Sequence, residues 1–333
     1  MNMEKKRIEY IDMAKGICMT IIVLGHSNYS INIKGITIAI VPLFFAISGF
    51  FFNEKREWKV FLLKKLNTLI IPFIFFYLTA YFIFYILKYF QPNLLVTTAN
   101  GILDVLNNRQ FFNGPIWFLL DIFWCNIFFY LITNAIKNDI FRIVIVSIIG
   151  FVGWYLGQKD YLFPLYFDVS MTSLPFFAMG YYLKKSKILD FSPFKLFPII
   201  AAIVLYFISY MIENNLHQRL SLHYNAVEGW STYLLSFTTV LSLLFLCKAI
   251  QWVPFINYIG KNSLIVLCVH HMIYRPLMVL LKPLNLNDGG FTVAFLTLII
   301  SMFLIFPFNK FLPWFVAQKE CFNTNKNTNE KKN

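Results

Sequence analysis

Apolar side chains occupy membrane-length blocks of this chain, and short polar stretches separate the blocks. A helix needs about 20 mostly apolar residues to cross a bilayer. On that length, blocks fall at about 10–28, 35–52, 67–88, 115–134, 140–157, 163–183, 196–212, 231–250, 261–281 and 292–315. The pattern predicts an all-α polytopic membrane protein with about ten transmembrane helices. The first block follows basic residues, as a signal peptide does. It lacks a small-x-small cleavage site and is studded with polar residues, so it reads as an uncleaved first span. The domain expectation is a transmembrane unit over 1–316 and a disordered cytoplasmic tail over 317–333, rich in Asn, Lys and Thr.

Charge orients the helices. With the N-terminus inside, the inner segments hold 21 of the 29 Lys and Arg, the outer segments hold 7, and Lys15 lies within the first span. This bias predicts cytoplasmic N- and C-termini and a multi-pass protein of the cell's inner (cytoplasmic) membrane. It also accounts for the net charge of +13 without a nucleic-acid partner. Charged residues are 14% of the chain, against roughly 25% in soluble domains, so the expected partner is the lipid bilayer. Two outer loops are long, at about 89–114 and 213–230. The second carries Glu213, His217, Arg219, His223, Glu228 and Trp230, and is either a binding surface or a solvated connector.

Ionisable groups within the spans are the candidates for chemistry, because in hydrocarbon they are costly unless they face protein or water. The first span holds Asp12, Lys15 and His26. Lys15 and His26 are eleven residues apart, close to three helical turns, so they share a face, about 16 Å from one another. Asp12 lies one turn before Lys15 and can pair with it. His26 is either a proton-transferring imidazole or a structural histidine capping the helix end. Lys15 is either an anchor for a phosphate-bearing donor or a snorkelling lysine neutralised by Asp12. Lys64 and Lys65 precede the third span, placed for lipid headgroups or for an anionic donor arriving from the cytoplasm. Ser48-Gly49 reads as a notch for close helix approach. In the fourth span Trp117 stands one turn above Asp121; the pair suits a sugar, or else an interfacial anchor and a helix-to-helix hydrogen bond.

The ninth span carries His270, His271 and Arg275 toward its outer half. Adjacent histidines project about 100° apart on a helix, and no i,i+4 ligand pair accompanies them, so no metal is expected. The five cysteines show neither metal spacing nor a paired framework and read as small buried side chains.

Taken together, these segments resemble acyltransferase family 3 of membrane proteins, in particular its sugar (fucose-type) O-acetyltransferase branch. The likeness is carried by Ile11-Asp12-Met13-Ala14-Lys15-Gly16, Val23-Leu24-Gly25-His26-Ser27 and Pro42-Leu43-Phe44-Phe45-Ala46-Ile47-Ser48-Gly49. Lys64-Lys65 with Pro72, then Gly114-Pro115-Ile116-Trp117-Phe118-Leu119, and Gly260-Lys261-Asn262-Ser263-Leu264 with His270 complete it. It runs over about residues 7–315. The resemblance implies an enzyme of about ten helices that takes an acyl group, commonly acetyl, from acyl-CoA on the cytoplasmic side. The acceptor is a glycan or lipid-linked sugar, often outside. In the family a basic residue eleven positions before the first-helix histidine belongs to the site; here these are Lys15 and His26. Many members carry Arg at the position of Lys15. Many also have Arg-x-x-Arg before the third-helix proline, where this chain has Lys64, Lys65 and then Thr68. Lysine lacks the bidentate fork of arginine.

The reading that results is O-acyl transfer. His26 acts as general base, Asp12 orients or neutralises Lys15, and Lys64, Lys65 and Lys15 hold the phosphates of acetyl-CoA. Trp117, Asp121, His270 and Arg275 line the acceptor side, with Arg275 near the developing oxyanion. The main rival is a transporter or flippase for a glycan or acyl compound, without covalent chemistry. That rival predicts paired interrupted helices, which the sequence does not display. A second rival is a non-catalytic subunit for surface-polysaccharide assembly.

Overall fold

Every one of the ten apolar blocks coincides with a helix in the computed structural model. The structure describes residues 7–27, 36–90 (without the side chains of 87, 88 and 90), 103, 106, 113–216, 220–281, 283, 288 and 290–324. Lys34, Arg109, His217, Arg219, Lys282, the tail from 325 and most of the loop at 89–114 lie outside the described residues, as does the side chain of Lys88. The helices are α1 (Glu9–His26), α2 (Ile36–Phe50), α3 (Trp58–Lys65), α4 (Ile71–Phe90), α5 (Trp117–Ala135) and α6 (Asp139–Gln158). They continue with α7 (Phe167–Ser186), α8 (Phe197–Leu216), α9 (Ser231–Ile250), α10 (Pro254–Lys261), α11 (Ser263–Leu281) and α12 (Phe291–Phe311). A π-helical turn, Leu66–Ile70, joins α3 to α4. A two-stranded antiparallel ribbon, β1 (Leu220–Ser221) with β2 (Ala226–Val227), sits between α8 and α9.

Among the described residues, seven helices are long and apolar enough to cross a membrane: Trp58–Ile86, Gly114–Ala135, Asp139–Gln158, Phe197–Leu216, Ser231–Ile250, Ser263–Leu281 and Phe291–Phe311. The remaining three predicted spans differ for visible reasons. Helix α1 carries Glu9, Asp12 and Lys15, α2 has 15 residues, and α7 holds Asp168, Lys184 and Lys185. A helix wrapped by other helices need not be greasy all round. Helix α7 packs on α2, α5 and α6, and its Asp168, Ser170, Thr172 and Ser173 are fully buried. Helices α6 and α8 show the opposite pattern, with strongly apolar sequences and few buried residues. They present their apolar faces outward, as a lipid-contacting rim does.

Close backbone approach holds the middle of the bundle. A Cβ at Gly49 would collide with the Phe177 carbonyl, and one at Gly180 with the Ala46 carbonyl, so α2 and α7 cross with almost nothing between them. Small residues permit this contact, which maximises van der Waals packing where no hydrophobic drive separates protein from lipid tails. The Ser48-Gly49 notch expected from the sequence is this crossing, and Asn126 of α5 donates to Ser48 Oγ beside it at 3.3 Å. At one end of the bundle Arg142 is buried and donates to Glu54, Tyr181 Oη and the carbonyls of Thr133 and Ile136. This network ties the segment after α2 to α5, α6 and α7.

Candidate active site

The first span is clasped by the chain that precedes the ninth. Gly16 of α1 lies against the Ile256 carbonyl, and Gly260 of α10 against the Asp12 carbonyl, each so close that a Cβ would overlap the oxygen. Asn257 donates to the Glu9 carbonyl at 2.9 Å while its Oδ1 accepts from the Val253 backbone. Two motifs some 240 residues apart thus form one interface. From it, α11 runs alongside α1, bringing His270 to the level of His26.

At the Asp12 end, Lys15 Nζ is 2.7 Å from Asp12 Oδ1. Asp12 also pairs with Arg7, which lies just before α1 among the basic residues of the inner side. Arg7 Nη2 donates to the Lys261 carbonyl at 3.3 Å. Two cations therefore share one buried carboxylate, and the cluster keeps a net positive charge.

At the other end, His26 Nδ1 and His270 Nε2 are 3.1 Å apart. The rings meet edge to edge through these nitrogens, with centroids 5.2 Å apart and planes 24° from parallel. His270 Nδ1 is 2.9 Å from the Val266 carbonyl oxygen, one turn back on the same helix. His271 and Tyr274 border His26 as well, at 6.0 and 6.2 Å between ring centroids, and Tyr274 Oη lies 3.2 Å from His271 Nε2. His26 is exposed, whereas His270 is 0% exposed.

His26 lines a cavity of about 430 Å³. One wall is α1 from Met19 to His26, about 10 Å of helix at 1.5 Å per residue. Thr37 to Phe44 of α2, Pro115 to Leu119, and Ser263 to Leu267 of α11 complete the sides, and Leu220 to His223 form the far wall. The lining is mostly aliphatic and aromatic, and among the described residues no Lys, Arg, Asp or Glu belongs to it. Met19 is one helical turn from Lys15, so the cavity covers most of the path between the cationic cluster and the imidazole.

Local sequence explains the wall around Trp117. Asn113 donates to the Cys268 carbonyl at 2.7 Å, which fixes the start of the Gly114–Ile116 turn against α11. The helix that follows then directs Trp117 to the cavity. The Trp117 ring lies 5.5 Å from His223 and 5.4 Å from Tyr166, and Tyr166 Oη is 3.4 Å from His223 Nδ1. The small ribbon presents His223. Asn225, fully buried at φ 52°, anchors it through Thr172 Oγ1 at 2.8 Å, the Gly153 carbonyl and Asp168.

Several expected residues sit elsewhere. Asp121 does not line the cavity; it is buried between α5 and α7, accepting from Ser173 Oγ at 3.0 Å and from Cys125 Sγ at 3.6 Å. One helical turn from Trp117 was enough to carry it into the protein interior. His270 backs His26 instead of facing the cavity, because its Nδ1 is tethered to its own helix. Arg275 extends to the Phe84 ring, 5.9 Å from its centroid, and is likewise absent from the cavity wall. Lys64 and Lys65 lie at the end of α3, away from the cavity lining, with Lys65 Nζ 5.8 Å from the Phe61 centroid. Helix α3 is seated by Phe61, which stacks on Tyr130 at 4.4 Å. His223 and Tyr166 are additions: the first was visible only as part of a polar loop, and nothing in the sequence distinguished the second. Among the described residues, no group of three or more His, Cys, Asp or Glu is placed to hold a metal ion.

The structure thus places a buried imidazole behind an exposed one, on the wall of a cavity within a helical membrane bundle. The chain matches the acyltransferase domain family over residues 8–309 and belongs to it. The match takes in both histidines, the Asp12–Lys15 pair and the Lys64-Lys65 step, and it lends no support to the transporter reading. No curated protein and no solved structure matches the chain.

Proposed function

We propose that this acyltransferase is an O-acetyltransferase that carries the acetyl group of acetyl-CoA to a hydroxyl of a cell-surface glycan or lipid-linked sugar. The observation that carries this reading is the exposed His26 on the cavity wall, backed by His270. His26 accepts the proton of the acceptor hydroxyl as the oxygen attacks the thioester carbonyl. The carbon–sulfur bond breaks, the thiolate leaves, and His26 returns the proton to sulfur. An ester and free CoA result, with every proton accounted for.

The donor side of the reading rests on charge. Lys15, with the surplus positive charge of its cluster, and Lys64 and Lys65 at the end of α3 suit the phosphates of a CoA donor approaching from the cytoplasm. The mostly apolar lining suits a neutral thioester arm, and about 10 Å of helix separates its Met19 end from His26. The acceptor side rests on rings. Trp117 with His223 forms an aromatic wall suited to the face of a sugar, whereas Asp121 and Arg275 drop out of that wall on their positions.

His26→Ala is expected to lower acetyl transfer by at least about a hundredfold, the lower end of what a general base contributes. Membrane vesicles given radiolabelled acetyl-CoA and mixed glycans measure it, with mass spectrometry of surface glycans as the cellular counterpart. Undiminished labelling of glycan by the variant rules the mechanism out.

A further inference from the structure

We propose that His270 is a positioning residue that fixes the tautomer of His26, leaving His26 Nε2 as the proton-accepting atom. The argument runs along three atoms. A backbone carbonyl only accepts hydrogen bonds, so His270 Nδ1, 2.9 Å from the Val266 oxygen, carries a proton. In a neutral imidazole the other nitrogen is then bare. That nitrogen, His270 Nε2, faces His26 Nδ1 at 3.1 Å, so His26 Nδ1 must donate. His26 is left with its lone pair on Nε2. The ring is also the exposed one of the two, whereas His270 is sealed in the interior and meets no substrate.

The arrangement has a second consequence. When His26 takes a proton it has N–H groups on both nitrogens. Its Nδ1–H keeps the same acceptor, so no partner has to reorient during transfer. A carboxylate does this for histidine in hydrolase triads; here a neutral imidazole anchored by a carbonyl fills the place. His271 and Tyr274 also border the His26 ring, at 6.0 and 6.2 Å between centroids, and the charge of Arg275 is near enough to act on it.

The inference rests on the reading of His26 as a general base, but one arm of its test does not. Protein labelled with 15N-histidine in detergent micelles reports each tautomer by NMR, with the His26 signals identified by their loss in His26→Ala. Wild-type His26 is expected with its proton on Nδ1, and His270→Phe is expected to release it toward the Nε2–H form. In acetyl transfer, His270→Phe should lower kcat about a hundredfold with KM within about twofold. His270→Gln, whose amide oxygen reaches the same place, should stay within about tenfold of wild type. A wild-type His26 protonated on Nε2, or an unchanged kcat in His270→Phe, overturns the proposal. If His270→Phe does not fold, the wild-type tautomer still decides. If Nδ1–H is found while no acyl transfer is detected, the tautomer lock stands and the acetyltransferase reading fails instead.

Discussion

His26 and Lys15 share a face of α1, and the sequence spacing alone said so. Spacing also paired Lys15 with Asp12, but it could not supply the partner of His26 or the second cation on Asp12. His270 stands 244 positions further along the chain, and a 3.6-residue period carries no information about which helix meets which. Its adjacency to His271 even drew attention to metal binding, a question of ligand geometry, when the informative contact was to Val266. Arg7 was hidden for a different reason: it lies before the first helical turn, where a basic residue reads as topology. With Arg7 sharing Asp12, Lys15 is not silenced by its carboxylate. Lys15→Met is therefore expected to raise the KM for acetyl-CoA about tenfold, equivalent to about 1.4 kcal/mol of binding, with kcat little changed. Steady-state kinetics at varied donor concentration check this; an unchanged KM would return Lys15 to a purely structural role.

At the scale of helices, hydropathy located all ten predicted segments but could not rank them. Lipid-facing α6 and α8 and enclosed α7 differ in what covers them, and a linear profile sees only composition. The polar positions Asp168, Ser170, Thr172 and Ser173 of α7 lie inside the bundle. The glycines were legible as permission for close approach, not as addresses. Gly260 meets α1 at Asp12, and this contact sets how near α11 can bring His270 to His26. Gly260→Val inserts a branched side chain where the Asp12 carbonyl stands. Overpacking of this kind costs about 1–3 kcal/mol, so a lower Tm in detergent is expected. Acetyl transfer should fall with it as the imidazole pair separates. Wild-type thermal stability in that variant would mean that α10 has room to shift.

For the whole molecule, the loop charges predict both ends of the chain on the cytoplasmic side. The cysteines offer a direct test. Cys321 is exposed while Cys18, Cys125, Cys247 and Cys268 are buried, so the native chain is already a single-site reporter. A membrane-impermeant maleimide should modify Cys321 in inverted vesicles and leave it untouched in intact cells; labelling of intact cells would reverse the assigned orientation. The same stretch carries a feature the sequence concealed. Asn67, in the widened turn between α3 and α4, accepts from the backbone N–H groups of Cys321 and Phe322 and donates to the Phe322 carbonyl at 2.7 Å. Asparagine is an unremarked residue at that position, and its partners lie more than 250 positions away. The side-chain amide of an early turn is thus satisfied only by backbone groups that lie more than 250 positions later, so this turn can close only after those residues have joined the bundle.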